Sequence, residues 1–399
     1  MIRRPLRFFA ALLLVAAPLA AAPPPAPTLA HDMKEVEAIR GVAFRHAVAH
    51  QTVARADLPA ILRDQMQRTM RYSSDDYMLI LRALQLVDGS SGDLMTSMLA
   101  LYQDQVLAFY DPLTHVYFSV DRLPDSTKSL TSALGDSTLL QESVAVHELT
   151  HALQDQVYGA AEKHLALESD EDGEQAYHAL LEGEASFVMI GWMMKQAGRS
   201  LDDVVSNDAL LDALSNAGGF DAGVEAGTPR YFVESMKMPY VEGTKLVIRA
   251  YRRGGWKEVD RVHANPPRTT RELLHLDEYF ARLDGKRPLP AAFRDVPPID
   301  APGLLTVEHL GEFDWGFLVG PQNARGWVDD RVAIVQDVRC EPTVLVETRW
   351  ENAARAAAFH DAYASFLGGR GIVARVAIDG TTVRAAYGAD AALMRRYIP

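Results

Sequence analysis

Val144-Ala145-Val146-His147-Glu148-Leu149-Thr150-His151-Ala152-Leu153 is the stretch on which the reading of this chain turns. On an α-helix, residues four apart share a face, so His147 and His151 aim both imidazoles at one point while Glu148 lies beside it. Two neutral imidazoles suit Zn2+, and a neighbouring carboxylate is placed to take a proton from a water that the ion has brought to a pKa of about 7. Val144, Val146, Leu149 and Leu153 supply the apolar positions of a buried helix, and no Gly or Pro interrupts it. A metal-dependent hydrolytic site is expected here, with His147 and His151 as ligands and Glu148 as general base.

A hydrolytic zinc needs a third protein ligand. A glycine three residues after His151 and a histidine three further on would supply one nearby, but Gln154 and Val157 stand there. The best remaining source is Leu180-Leu181-Glu182-Gly183-Glu184-Ala185-Ser186. Helical residues two apart point about 200° apart, so only one of the two acids faces the ion. Glu182 is preferred, because His178 and Ser186 stand four residues to either side and give it a polar face, whereas Glu184 has Leu180 and Val188. Glu184 stays open as the alternative, and a buried Glu184 could instead hydrogen-bond a ligand histidine. His178 shares the face of Glu182 and is a supporting or substitute ligand; His164 has no such spacing.

Outward from this centre, residues 31–101 show helical spacing and read as two or three scaffold helices. Residues 106–110 and 116–120 read as two short strands joined at Asp111-Pro112, and 116–120 is the candidate edge for an extended substrate. Helices are expected over 141–158, 173–197 and 240–253, and a surface insertion or lid over 199–227. A proline-rich break at 288–302 marks a domain boundary. Beyond it, strands at 331–338 and 343–348, a helix at 352–367 and a closing hairpin at 371–387 make a smaller α/β domain. Cys340 falls in a segment that reads as strand and is expected to be a small buried residue.

The 399 residues are 48% apolar and 23% charged, the composition of an ordinary globular protein long enough for two domains. Residues 1–22 read as an export signal, with Arg3, Arg4 and Arg7 before an apolar run, and 23–30 as a Pro-rich linker. Loss of those three positive charges would deepen the net charge from −13 to −16, which argues against nucleic acid as a partner. No other apolar stretch reaches membrane-spanning length, so no transmembrane segment is expected after signal removal. A single cysteine makes no internal disulfide. An exported protein, periplasmic or secreted, is expected. Its oligomeric state has no signature in the sequence.

His147-Glu148-Leu149-Thr150-His151-Ala152 resembles the active-site helix of thermolysin-type gluzincins, and Asp155 falls where such helices carry an acid. Phe109-Tyr110-Asp111-Pro112, residues 147–156, 179–185, Pro239-Tyr240 with Gly243, Gly254-Gly255-Trp256, 266–279 and 310–331 together are similar to a group of secreted bacterial zinc metallopeptidases. The resemblance implies an α+β fold: a mainly helical zincin-like catalytic domain with a small edge sheet over 31–295, followed by the α/β domain at 300–399. It also implies a ligand at the acid before glycine, which is Glu182. The chain departs from the gluzincin pattern at Leu181 and Ser186, where that family has Asn and Asp. Tyr240, or else His275, is implied as a donor to the oxyanion. The activity implied is hydrolysis of a peptide or protein substrate. The alternatives are an envelope protein that keeps this fold to bind a partner, and a zinc hydrolase of a non-peptide amide or ester.

Overall fold

Ala108, Tyr110 and Tyr117 alternate along their strands with Phe109, Phe118 and Val120, and this period-two pattern gives one small sheet two buried faces. The computed structural model that shows this describes residues 27–69, 72–89, 91–123, 137–167, 170–206, 228–288 and 301–399. The expected signal at 1–22, most of the insertion at 199–227 and most of the proline-rich break lie outside those residues. The fold is α+β, mostly helical with two small sheets. By chain contacts the described residues form two compact units, one from those within 1–73, 92–168 and 177–266 and the other from those within 74–91, 169–176 and 267–399. The longest segment of the second unit begins at Pro267, and two earlier segments join it.

In the first unit, α1 (Pro27–Arg40) opens inside the expected linker, with Pro27 in its first turn, where a missing N–H costs nothing. The strand β1 (Ala49–Val53) follows within the stretch expected to be helical. It pairs in parallel with β3 (Val116–Val120), which pairs on its other side antiparallel to β2 (Ala108–Asp111). The strand β3 is thus central, and both its backbone edges are spent. The edge expected at 116–120 is not there; β1 and β2 are the outer strands among the described residues.

One face of this sheet packs with α1 and α2 (Ser137–Tyr158) through Val36, Ala108, Tyr110, Tyr117, Val146, Leu149 and Leu153. The helix α2 stops at Gly159, whose φ of 64° an L side chain tolerates poorly. The next long helix, α3 (Glu171–Gln196), starts with Glu171, Asp172 and Glu174 against its positive end and is buried along most of its length from Tyr177 to Ile190.

The helix expected from Tyr240 begins ten residues earlier, as α4 (Arg230–Gly254), and carries Pro239 in its interior. It crosses α3 where two glycines meet. A Cβ on Gly243 would overlap the carbonyl oxygen of Ala179, and one on Gly183 would overlap the backbone of Gly243. The missing side chains bring these two helices together.

The second unit is built on a five-stranded sheet in the order β4 (Leu304–Glu308), β5 (Trp327–Gln336), β6 (Pro342–Trp350), β8 (Thr382–Gly388), β7 (Ala374–Asp379). Every pairing in it is antiparallel, so the expected α/β domain is corrected to α+β. The reason lies in the short β5–β6 and β7–β8 connections, which suffice for hairpins and not for crossovers. Cys340 sits in the β5–β6 turn, exposed and at φ 62°, and is not a buried strand residue. Against β5, α5 (Gly311–Val319) is anchored by Asp330, which accepts hydrogen bonds from Leu310 N, Gly311 N and the indole N–H groups of Trp315 and Trp327. The helix α6 (Ala353–Gly369) is capped by Asn352 and lays Phe359 and Tyr363 against Trp315. Among the described residues no helix is long and apolar enough to cross a membrane.

Candidate metal centre

His147 and His151 project from one face of α2, one turn apart, with their rings 4.9 Å apart and nearly perpendicular. Their Nε2 atoms are 3.2 Å apart. Glu182 on α3 brings Oε2 to 3.1 Å from His147 Nε2 and 3.6 Å from His151 Nε2. Metal–ligand bonds of about 2.0–2.2 Å at tetrahedral angles put neighbouring ligand atoms roughly 3.3 Å apart. The three donors therefore already outline one face of such a tetrahedron, and among the described residues they form the group able to hold a metal.

Glu182, not Glu184, is the acid on this face. Its other oxygen, Oε1, lies 3.0 Å from His178 Nε2. His178 therefore supports the carboxylate and does not replace it. Burial works against a charged Glu182, but the charge of His151 and hydrogen bonds from His147, His151 and His178 outweigh it and hold the carboxyl well below its usual range. The same pairing acts on His151: burial would lower it, yet Glu182 pushes it up to about 9.

Glu184, two residues on, points into a different network. Its oxygens accept from Arg40 Nε at 2.5 Å, His263 Nε2 at 2.7 Å and Gln154 Nε2 at 2.8 Å. Gln154 in turn sets Oε1 2.9 Å from His151 Nδ1. Glu184 thus bonds neither His147 nor His151 directly, contrary to the alternative left open for it; Gln154 stands between Glu184 and His151.

Glu148 stands beside His147, His151 and Glu182 without joining their cluster. The backbone N–H of Tyr110, on β2, donates to its Oε2 at 2.9 Å. Burial raises the Glu148 carboxyl, only partly countered by His147 and His151. A carboxyl raised toward neutrality is better matched to accepting and returning a proton.

Comparison with protein-family models, curated proteins and solved structures finds no match to this chain. The geometry of the site carries the functional argument by itself.

Tyr240 is brought to this centre. Its ring stacks on His147 with centroids 6.0 Å apart and planes 23° from parallel. His275 belongs to the second unit, where Nε2 lies 2.5 Å from Glu312 and Nδ1 faces Arg325 Nη1 at 3.0 Å, so both ring nitrogens are engaged. Asp155 accepts from Tyr110 Oη at 3.0 Å and from the backbone of Ala161.

Sequence reasoning missed Gln154, Arg40, His263 and the Tyr110 N–H. Gln154 was legible, since it lies three residues after His151 and shares its face. Arg40 and His263 come from distant helices, and no local pattern joins them.

Proposed function

We propose that this protein is a zinc-dependent hydrolase of peptide bonds that acts after export. The observation that carries this reading is the convergence of His147 Nε2, His151 Nε2 and Glu182 Oε2 at 3.1–3.6 Å with an acid, Glu148, held beside them. His147, His151 and Glu182 would hold the ion. When bound, zinc supplies Lewis acidity, polarising a carbonyl and acidifying water.

Glu148 takes the proton of the attacking water and returns it to the leaving amine, steadied by the Tyr110 N–H. Tyr240, carried beside the ligand helix by its stacking on His147, donates its phenol to the oxyanion that forms at the attacked carbonyl. His275 has no part in this scheme and serves the second unit through Glu312. The engagement of His178 with Glu182 Oε1 favours three protein ligands and a position open to substrate over a closed structural site.

Support for a peptide over another amide or an ester comes from β2. The Val120 N to Leu107 O bond puts the backbone groups of residues 107, 109 and 111 toward β3, so those of Ala108 and Tyr110 point the other way. That is the side on which Glu148 stands and takes the Tyr110 N–H, so the role first assigned to β3 would pass to the Ala108 N–H and C=O and the Tyr110 C=O of β2.

The test is a digest of a peptide library, with an ester and a non-peptide amide in parallel, by the zinc-loaded chain and Glu148→Gln. The variant should keep its metal and lose at least about a hundredfold in rate. Equal activity of variant and parent would sink the mechanism; cleavage of the ester or amide alone would move the substrate class.

A further inference from the structure

We propose that Gln154 is a positioning residue that selects the tautomer in which His151 binds metal. The inference rests on the zinc reading above and assigns one residue within it.

A glutamine amide has two N–H donors at one end and an oxygen that only accepts at the other. Both donors of Gln154 are spent. Nε2 lies 2.9 Å from the carbonyl oxygen of Leu181 and 2.8 Å from Glu184 Oε2. Neither of these partners can donate, so the amide has one orientation and its oxygen is the atom 2.9 Å from His151 Nδ1. An oxygen there requires a proton on Nδ1. A neutral imidazole protonated at Nδ1 keeps its lone pair on Nε2, the nitrogen that faces His147 and Glu182.

Reversing the amide would set its oxygen against two acceptors and leave at least one of its two N–H donors without a partner in a site where Gln154 is 1% exposed. The orientation is enforced from farther out as well. Glu184 is held in place by Arg40 at Oε1 and His263 at Oε2. Arg40 also bonds Tyr158 and Asp260, and its guanidinium lies 4.5 Å from the ring centroid of Trp256. Elements far apart in sequence thus converge on one amide, and the amide determines which nitrogen of His151 is free.

The experiment is a long-range proton–nitrogen correlation spectrum of the 15N-labelled, zinc-loaded full chain, with chelator competition on the parent and Gln154→Met. The expected result is a protonated Nδ1 and a coordinated Nε2 at His151, and a loss of zinc affinity of about 10–100-fold in the variant. Coordination through Nδ1, or a variant that binds zinc as tightly as the parent, overturns the proposal. If Gln154→Met does not fold, the spectrum of the parent decides. If the parent takes up no zinc, the metal reading fails separately. The tautomer is then read in metal-free protein in alkaline buffer, where the ring is neutral. Protonation at Nδ1 there supports the role of Gln154, and protonation at Nε2 overturns it.

Discussion

His178 Nε2 stands 3.0 Å from Glu182 Oε1, one helical turn before the ligand on the same helix. The contact leaves Oε2 as the oxygen turned to His147 and His151. It predicts that His178→Ala keeps the fold but binds zinc about 10–100-fold more weakly, as loss of a ligand's supporting bond does elsewhere. Chelator competition measures this. Unchanged affinity would show that Glu182 orients itself without help.

Glu182→Ala and Glu184→Ala should fail in different ways. The first removes a ligand and should abolish tight zinc binding in a chain that still folds. The second leaves Arg40, 2% exposed, without its buried carboxylate partner, a change that typically costs about 3–5 kcal/mol. Thermal unfolding beside metal analysis separates them. A stable, zinc-free Glu184→Ala together with a zinc-binding Glu182→Ala would reverse the assignment of the ligand.

Gly243→Ala should destabilise the chain by about 1–3 kcal/mol, the usual cost of an overpacked contact. Its new methyl group would meet the Ala179 carbonyl, a backbone atom with little room to move. Gly368→Ala, near the end of α6 with nothing within 4 Å of the added Cβ, is the control. Denaturant unfolding of both variants checks the contrast, and equal loss would mean that α3 and α4 can separate without penalty.

The alkaline limb of stability should carry a contribution from His309. Burial alone would lower its imidazole, but its bond to Asp329 and the charges of Asp330, Asp329 and Asp170 push it up to about 9. The folded value lies above the unfolded one, near 6.5. The stabilisation is therefore complete below about pH 6.5 and is lost as pH rises through about 9. Urea unfolding of the parent and His309→Gln should differ at about pH 6 and converge at about pH 10. A gap that persists at about pH 10 would point to packing and not to charge.

The sequence by itself pointed to the helix of His147, Glu148 and His151 and to Glu182 as the acid that faces it. His147, Glu148 and His151 lie within five residues, and the faces of Glu182 and Glu184 differ at four-residue spacing, so helical geometry alone separates them. The hairpin of β2 and β3 and the capped helix after Asn352 were legible for the same reason, since their signals are local.

Only the tertiary structure decided the rest. The strand Ala49–Val53 is too short to stand out from the helical stretch around it, and its pairing with β3 is what makes β3 the central strand. Pro239 reads as a helix start, yet it is interior to α4, whose path is set by packing at Gly183 and Gly243. The second unit draws on three separate segments of chain, which no proline-rich break announces. Arg40, Glu184 and His263 lie 144 and 79 residues apart along the chain and meet only because their helices pack together. Local spacing encodes which side chains share a helix face; which faces meet depends on burial summed over the whole chain, and a single stretch of sequence does not contain that sum.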